Sequence, residues 1–305
     1  AAPPASRHEA ALPATPPDRP VGRSRRPKPP PVKERAEAAG IPVFQPEKIN
    51  TRVARARVRE AEPEVCVVVA YGQILRPLFL AIPPRGCLNV HASILPRWRG
   101  ASPINAQILH GAEEVGVSVM CMDAGLATGP VGLVRRAPAI PEETAGELHD
   151  RLAPLGGEAI VQALDALEAE GLDFVPQPDE GATYAGLMSK DDGRLDFRRD
   201  AEALARQVRG LVPWPGAFAR LRDGDETSVV QFLRVRAVAE DRGDESPGRV
   251  LGAAGEAWRI ACGRGALDVL ELKPSGRRAM TASAFLNGAR LAPAARFLLP
   301  DENDS

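Results

Sequence analysis

The run Val65-Cys66-Val67-Val68-Val69-Ala70, ended by Gly72, is continuously apolar and rich in β-branched side chains. Because neither face alternates toward water, it suits a strand buried on both faces, as in a parallel sheet. Working outward, Gly86 to Val90 forms a second short strand. Ser102-Pro103 supplies an N-cap followed by proline at the first helical position, and opens a helix through about His110. Val115 to Met122 alternates as a third strand, and Gly125, Thr128, Gly129 and Pro130 make a turn before a further apolar stretch, Val131 to Val134. Between Pro141 and Leu172, apolar Leu148, Leu152, Leu155, Ile160, Leu164 and Leu167 mark one or two long helices, with Gly156-Gly157 as a candidate break. This alternation predicts an α/β architecture with a Rossmann-like, largely parallel sheet.

The composition changes at Pro176 to Gly181, which is polar and turn-forming. Beyond it a helix (about Ala201 to Leu211) is followed by short β-like runs near 217–221, 228–238, 249–251, 257–261 and 267–272, a pattern that suggests a small closed β-barrel. We therefore divide the chain into a first domain at 1–175, a linker at 176–199 and a second domain at 200–305. Its 305 residues suffice for two cores at the usual ~100–200 residues each.

The formal net charge of -1 excludes a uniformly basic nucleic-acid binder, so charge must be read locally. Thirty prolines are about double ordinary usage, and ten of them fall within residues 1–31. From Ala1 to Pro17 no period of 2 or 3.6 is sustained. Between Arg19 and Lys33 there are six basic residues (Arg19, Arg23, Arg25, Arg26, Lys28, Lys33) and no acid, broken by prolines that forbid a helix. By itself this is a solvated basic linker or a binding loop. Cys66, Cys87, Cys121 and Cys262 lack disulfide-framework density and metal-ligand spacing, and are expected to be reduced core residues. No apolar stretch approaches the ~18 residues that span a bilayer, and the opening lacks a signal-peptide core. The cytosol is the expected compartment.

The densest chemistry lies in Asn89-Val90-His91-Ala92-Ser93-Ile94-Leu95-Pro96-Arg97-Trp98-Arg99-Gly100, a loop leaving the carboxyl end of a strand. Ligands bind at that edge of open α/β sheets. Asn89 and His91, two apart, would project from one strand face and could aim an amide N–H and an imidazole at one point, to stabilise an oxyanion or move a proton. An Asn and a His at a strand end also suit an ordinary turn. His8, His110 and His149 have no comparable surroundings and are expected to face solvent.

NVHASILPRWRGASPI, with VVVAYGQIL upstream and GVSVMCMDAGL downstream, resembles the signature of methionyl-tRNA formyltransferases. The resemblance runs from about Asp18 onward and includes TYAGLMSKDDGRLDF, VPWPGAFARL and LKPSGRRAMTASAFLNG. It implies transfer of the formyl group of 10-formyltetrahydrofolate to the α-amino group of methionyl initiator tRNA in translation initiation, without a metal, by a monomeric, non-membrane enzyme. It assigns Asn89 and His91 to the family's catalytic pair. It gives Ser93, Ile94, Leu95 and Pro96 to folate, and Arg23, with Arg25, Arg26 and Lys28, to tRNA. The second domain becomes an OB-like tRNA-binding barrel, with a basic cluster at Lys273, Arg277 and Arg278.

Two departures stand against the family pattern. Where the family carries an aspartate expected to orient the histidine, this chain has Ala127, and Asp123 lies four residues earlier. The family's opening strand is also missing, and the proline-bearing stretch Ala10 to Pro17 could not serve as a central strand, so exposed sheet edges are expected. The alternative reading is therefore a silent tRNA- or folate-binding relative. A third, a formyltransferase acting on a sugar nucleotide or glycinamide ribotide, fits the basic loop and the second domain less well.

Overall fold

The computed structural model describes residues 6–20, 27–239, 245–289 and 291–302. They form two compact units, the first comprising Ala1–Gly100, Gly116–Arg136 and Leu152–Tyr184, the second Ala101–Val115, Ala137–Arg151 and Ala185–Ser305. The chain begins with a short antiparallel pair, β1 (Arg19–Pro20) and β2 (Pro27–Lys28), then helices α1 (Pro31–Ala38) and α2 (Arg52–Glu60). Next come β3 (Cys66–Val68), the single-turn α3 (Pro77–Leu80), β4 (Cys87–His91), β5 (Arg99–Gly100) and α4 (Pro103–Leu109). Strands β6 (Glu114–Cys121) and β7 (Val131–Pro138), helix α5 (Ala145–Glu168) and β8 (Tyr184–Ala185) follow.

The sheet order is β3-β4-β6-β7. Strands β3 and β4 are parallel, whereas β6 runs antiparallel to β4, with Leu88 opposite Cys121 and His91 opposite Ser118. The expectation of a largely parallel sheet is thus corrected to a mixed one. The apolar period that marks a strand carries no direction, and the loop at 122–130, where the Cys121 N–H donates to Pro130 O at 2.9 Å, turns β7 straight back beside β6. The run at 65–70 is not buried on both faces either: Val67 and Val69 are 43% and 58% exposed. Among the described residues no strand pairs with the outer edge of β3, and Ala14 makes only one parallel bridge, to Phe44.

Helix α5 is one helix with Pro154 inside it. It opens on a capping box, in which Thr144 donates from its N–H and hydroxyl to Glu147, and the Glu147 N–H donates back to Thr144 Oγ1. Gly156 does not break it. A Cβ there would lie 3.0 Å from Val90 Cγ1, so its small size lets the helix approach β4.

The second unit holds α6 (Ala201–Leu211), β9 (Ala217–Asp223), β10 (Glu226–Val238), β11 (Val250–Ala254), β12 (Ala257–Ala261), β13 (Ala266–Pro274), β14 (Met280–Thr281), α7 (Ala282–Gly288) and β15 (Arg296–Phe297). Its antiparallel sheet runs β11-β12-β13-β10-β9-β15. The expected closed barrel is reduced to an antiparallel sheet whose two ends meet at a single bridge, Arg249 to Arg296. The terminal strand β15 is two residues long and offers no longer ladder. Ala201, Leu204, Ala205 and Val208 of α6, at helical spacing, join its core. Phe297 is the hub, with ring centroids 5.2, 5.3 and 5.4 Å from Trp258, Phe197 and Phe232. Truncating Phe297→Ala should destabilise the chain by about 3–5 kcal/mol, read as a lower urea midpoint; a loss below ~1 kcal/mol would show that the ring is not central.

Candidate active site

His91 ends β4 and is 7% exposed. Its Nε2 lies 2.9 Å from Trp98 O. A carbonyl can only accept, so Nε2 carries the proton and Nδ1 keeps a lone pair; Nδ1 has no hydrogen-bond partner among the described residues. Burial lowers the imidazole pKa and the Trp98 bond partly opposes it, leaving the net value below 6.5. The sign follows: the unfolded chain binds this proton more readily, so the stability contributed by neutral His91 is present above pH 6.5 and is lost as pH falls through the folded value. Asn89 Nδ2 donates to Val68 O at 3.2 Å, leaving a second N–H.

The loop after β4 is fastened by a serine of the neighbouring strand. Ser118 Oγ donates to Ser93 O at 2.7 Å and accepts from the Leu95 N–H at 3.1 Å, while Ser93 Oγ donates to Arg97 O at 2.6 Å. Ser93 and Leu95 are buried, and Ile94 and Pro96 are half-buried. Gly116 permits this packing, since a Cβ there would sit 2.2 Å from Arg135 O and 3.0 Å from Ile94 Cγ1.

The second loop, 123–129, leaves β6 beside Cys87, where the Met122 N–H donates to Cys87 O at 2.7 Å. That is the opposite end of β4 from His91. Asp123 accepts from Thr128 Oγ1 at 2.8 Å and from the Gly125 N–H at 3.0 Å, so its carboxylate serves the loop and does not substitute at His91. Ala127 has φ +58°, in the left-handed region. Gly129 must be glycine, because a Cβ there would lie 1.9 Å from Cys121 O. Gln177 ties the loops together: its Nε2 donates to Ala127 O and Gly129 O at 3.0 and 2.7 Å, and its Oε1 accepts from Arg99 Nε at 2.9 Å.

Of the basic loop, Arg23, Arg25 and Arg26 lie outside the described residues, and Lys28 is exposed on β2 opposite Arg19. Lys33 is engaged by Asp18 at 2.8 Å. His8 is part-buried against Asp165 at 3.0 Å, a correction to its expected exposure; His110 and His149 are exposed.

The formyl transferase family matches residues 5–164, and the formyl transferase C-terminal domain matches residues 187–290. A methionyl-tRNA formyltransferase of Chromohalobacter salexigens is 50% identical over 267 residues, covering 88% of this chain and 81% of its own. That of Parvibaculum lavamentivorans is 46% identical over 289 residues, covering 95% and 92%. The chain belongs to the methionyl-tRNA formyltransferase family. Formyl transfer is accordingly its class of reaction. Among solved structures, the sugar 3N-formyl transferase WlaRD has a TM-score of 0.60 at 14% identity, covering 88% of each chain. HypX from Aquifex aeolicus, in complex with tetrahydrofolic acid, has a TM-score of 0.57 at 17% identity over 81% of this chain and 42% of that one. At these identities both establish the shared fold alone.

Ser118 and Thr183 lie inside stretches that carry the resemblance and Gln177 lies outside them, but motif reading assigned none of the three a role. Ser118 did leave a signal, as the one polar side chain in the apolar strand GVSVM. Replacing Ser118→Ala leaves Ser93 O and the Leu95 N–H without this partner in a buried site, and should cost about 1–3 kcal/mol in urea denaturation. An unchanged midpoint would mean that the loop finds other partners.

Proposed function

We propose that this chain transfers the formyl group of 10-formyltetrahydrofolate to the α-amino group of methionyl initiator tRNA. The observation that carries the proposal is His91, buried, neutral and held in one tautomer with Nδ1 unengaged, beside Asn89 in a chain nearly half identical to enzymes named for this reaction. The half-buried, apolar Ile94 and Pro96 fit a planar pterin, because Ser118 already satisfies the polar groups of Ser93 and Leu95. The second amide N–H of Asn89 stabilises the negative charge that develops on the formyl oxygen as the amine attacks. His91 Nδ1 takes the proton from the attacking nitrogen and returns it to N10 of the departing tetrahydrofolate. Arg23, Arg25, Arg26 and Lys28 contact tRNA phosphates, and Lys273, Arg277 and Arg278, exposed in the second unit, add basic surface to an OB-like tRNA platform. The enzyme acts as a cytoplasmic monomer. Among the described residues no helix is long and apolar enough to cross a membrane. The relatives' names favour turnover over silent binding.

The test is single-turnover formylation of methionyl-tRNA with 10-formyltetrahydrofolate, run for the chain and for Ala127→Asp. The natural chain should formylate; because the 123–129 loop departs at the Cys87 end of β4, Ala127→Asp should speed the reaction, by about 10–10²-fold, only where that loop carries the new carboxylate to His91, and an unchanged rate would place residue 127 out of its reach. Asp also tolerates the left-handed conformation at 127 better than most residues, so thermal stability should not fall. If neither form transfers formyl, the proposal fails.

The pH dependence gives an independent check. His91 must be neutral to accept the proton and burial lowers its pKa, so once the titration of the substrate's α-amino group is divided out, the acid limb that belongs to His91 should lie below the ordinary imidazole range. An acid limb centred above 6.5 that remains after the titration of the substrate's α-amino group is divided out would remove His91 from the base role.

A further inference from the structure

Segment 177–184, placed in the linker by the sequence, holds both loops of the candidate site. Trp98 has φ +62°, a conformation that a bulky residue keeps only under restraint. Thr183 restrains it on both flanks: its Oγ1 accepts from the Trp98 N–H at 2.8 Å, and its carbonyl accepts from the Arg99 N–H at 2.8 Å. Its own N–H donates to Pro96 O at 3.3 Å. The peptide unit joining Trp98 to Arg99 carries the carbonyl that receives His91 Nε2–H. The position of that acceptor, and with it the His91 tautomer, therefore depends on Thr183. Gln177 holds the 127–129 loop through two carbonyls, with its own side chain fixed by the buried Arg99.

We infer that Thr183 and Gln177 are positioning residues for formyl transfer, Thr183 fixing His91 through the Trp98 carbonyl and Gln177 fixing the 127–129 loop. The inference rests on the role proposed for His91. It requires that these hydrogen bonds, and not the bulk of the side chains, set the rate.

Three variants of the full chain separate the two. Thr183→Val keeps the shape and removes the hydroxyl acceptor, Thr183→Ser keeps the acceptor, and Gln177→Glu keeps the oxygen facing Arg99 while removing the donor to Ala127 O and Gly129 O. The readouts are kcat, KM for 10-formyltetrahydrofolate, and the ¹⁵N resonances of His91. Thr183→Val should lower kcat about tenfold or more with KM changed less than about twofold, a loss of orientation and not of binding. Its His91 signals should move from the Nε2–H form toward a mixture of tautomers, while Thr183→Ser stays near the natural chain in both. Gln177→Glu should lower kcat about tenfold with the tautomer unchanged. Natural kcat and tautomer in Thr183→Val, or equal damage in Thr183→Ser, would overturn the role of Thr183. Natural kcat in Gln177→Glu would overturn that of Gln177, and carries the test if Thr183→Val does not fold. Should the natural chain fail to formylate methionyl-tRNA, the proposed reaction falls, while the ¹⁵N comparison still decides whether Thr183 sets the tautomer.

Discussion

Strand β4 is paired on both edges, parallel to β3 from Cys66↔Cys87 to Val68↔Asn89 and antiparallel to β6 from Leu88↔Cys121 to His91↔Ser118. Its backbone groups are therefore directed to neighbours, and the strand offers chemistry through side chains. The chain beyond His91 must then turn back over the strand end without leaving buried polar groups open. Ser118, directly across from His91, resolves this by accepting the Leu95 N–H and donating to Ser93 O. The turn delivers Trp98 O to the imidazole. Had β6 shifted by one residue, Ser118 would face the other side of the sheet and the loop would lose its anchor.

The electrostatics follow from the same enclosure. Burial penalises the imidazolium, so a neutral carbonyl is enough to fix His91. Arg99 is enclosed as well, at 4% exposed. Its guanidinium is met by Gln177 Oε1 at 2.9 Å, Pro178 O at 3.3 Å and Tyr184 Oη at 3.4 Å, with the Tyr184 ring centroid 6.0 Å away. A buried cation satisfied by several neutral acceptors is costly to disturb, because moving any one leaves charge poorly solvated. Gln177, anchored by that cation, thus holds the short 127–129 loop with Ala127 in the left-handed region.

Much of the element order was legible in the sequence because period and punctuation report local structure: Ser102-Pro103 opens α4, and 201–211 is α6 to the residue. Strand direction was not, since an apolar run reads the same both ways. The site divides along the same line. NVHASILPRWRG is contiguous, so its resemblance to a family could be seen at once. Ser118, Thr183 and Gln177 act on residues 25, 85 and 50 positions away, and only folding brings such partners together.

Ala127 is best understood against this background. An aspartate beside a histidine can do two things: orient the ring, and offset the charge that develops when the ring accepts a proton. In this chain the first is met by Trp98 O at 2.9 Å. On the role proposed for His91, the second is left to the same neutral carbonyl, and a charge-assisted hydrogen bond is roughly twice as strong as a neutral one. The missing increment is thus on the order of one to a few kcal/mol at the moment of proton transfer, where about 1.4 kcal/mol is tenfold in rate. The ground state is barely affected, since neutral His91 has no charge to offset. On that proposed role, the lack of a carboxylate at the imidazole acts on the rate and leaves the architecture of the site in place.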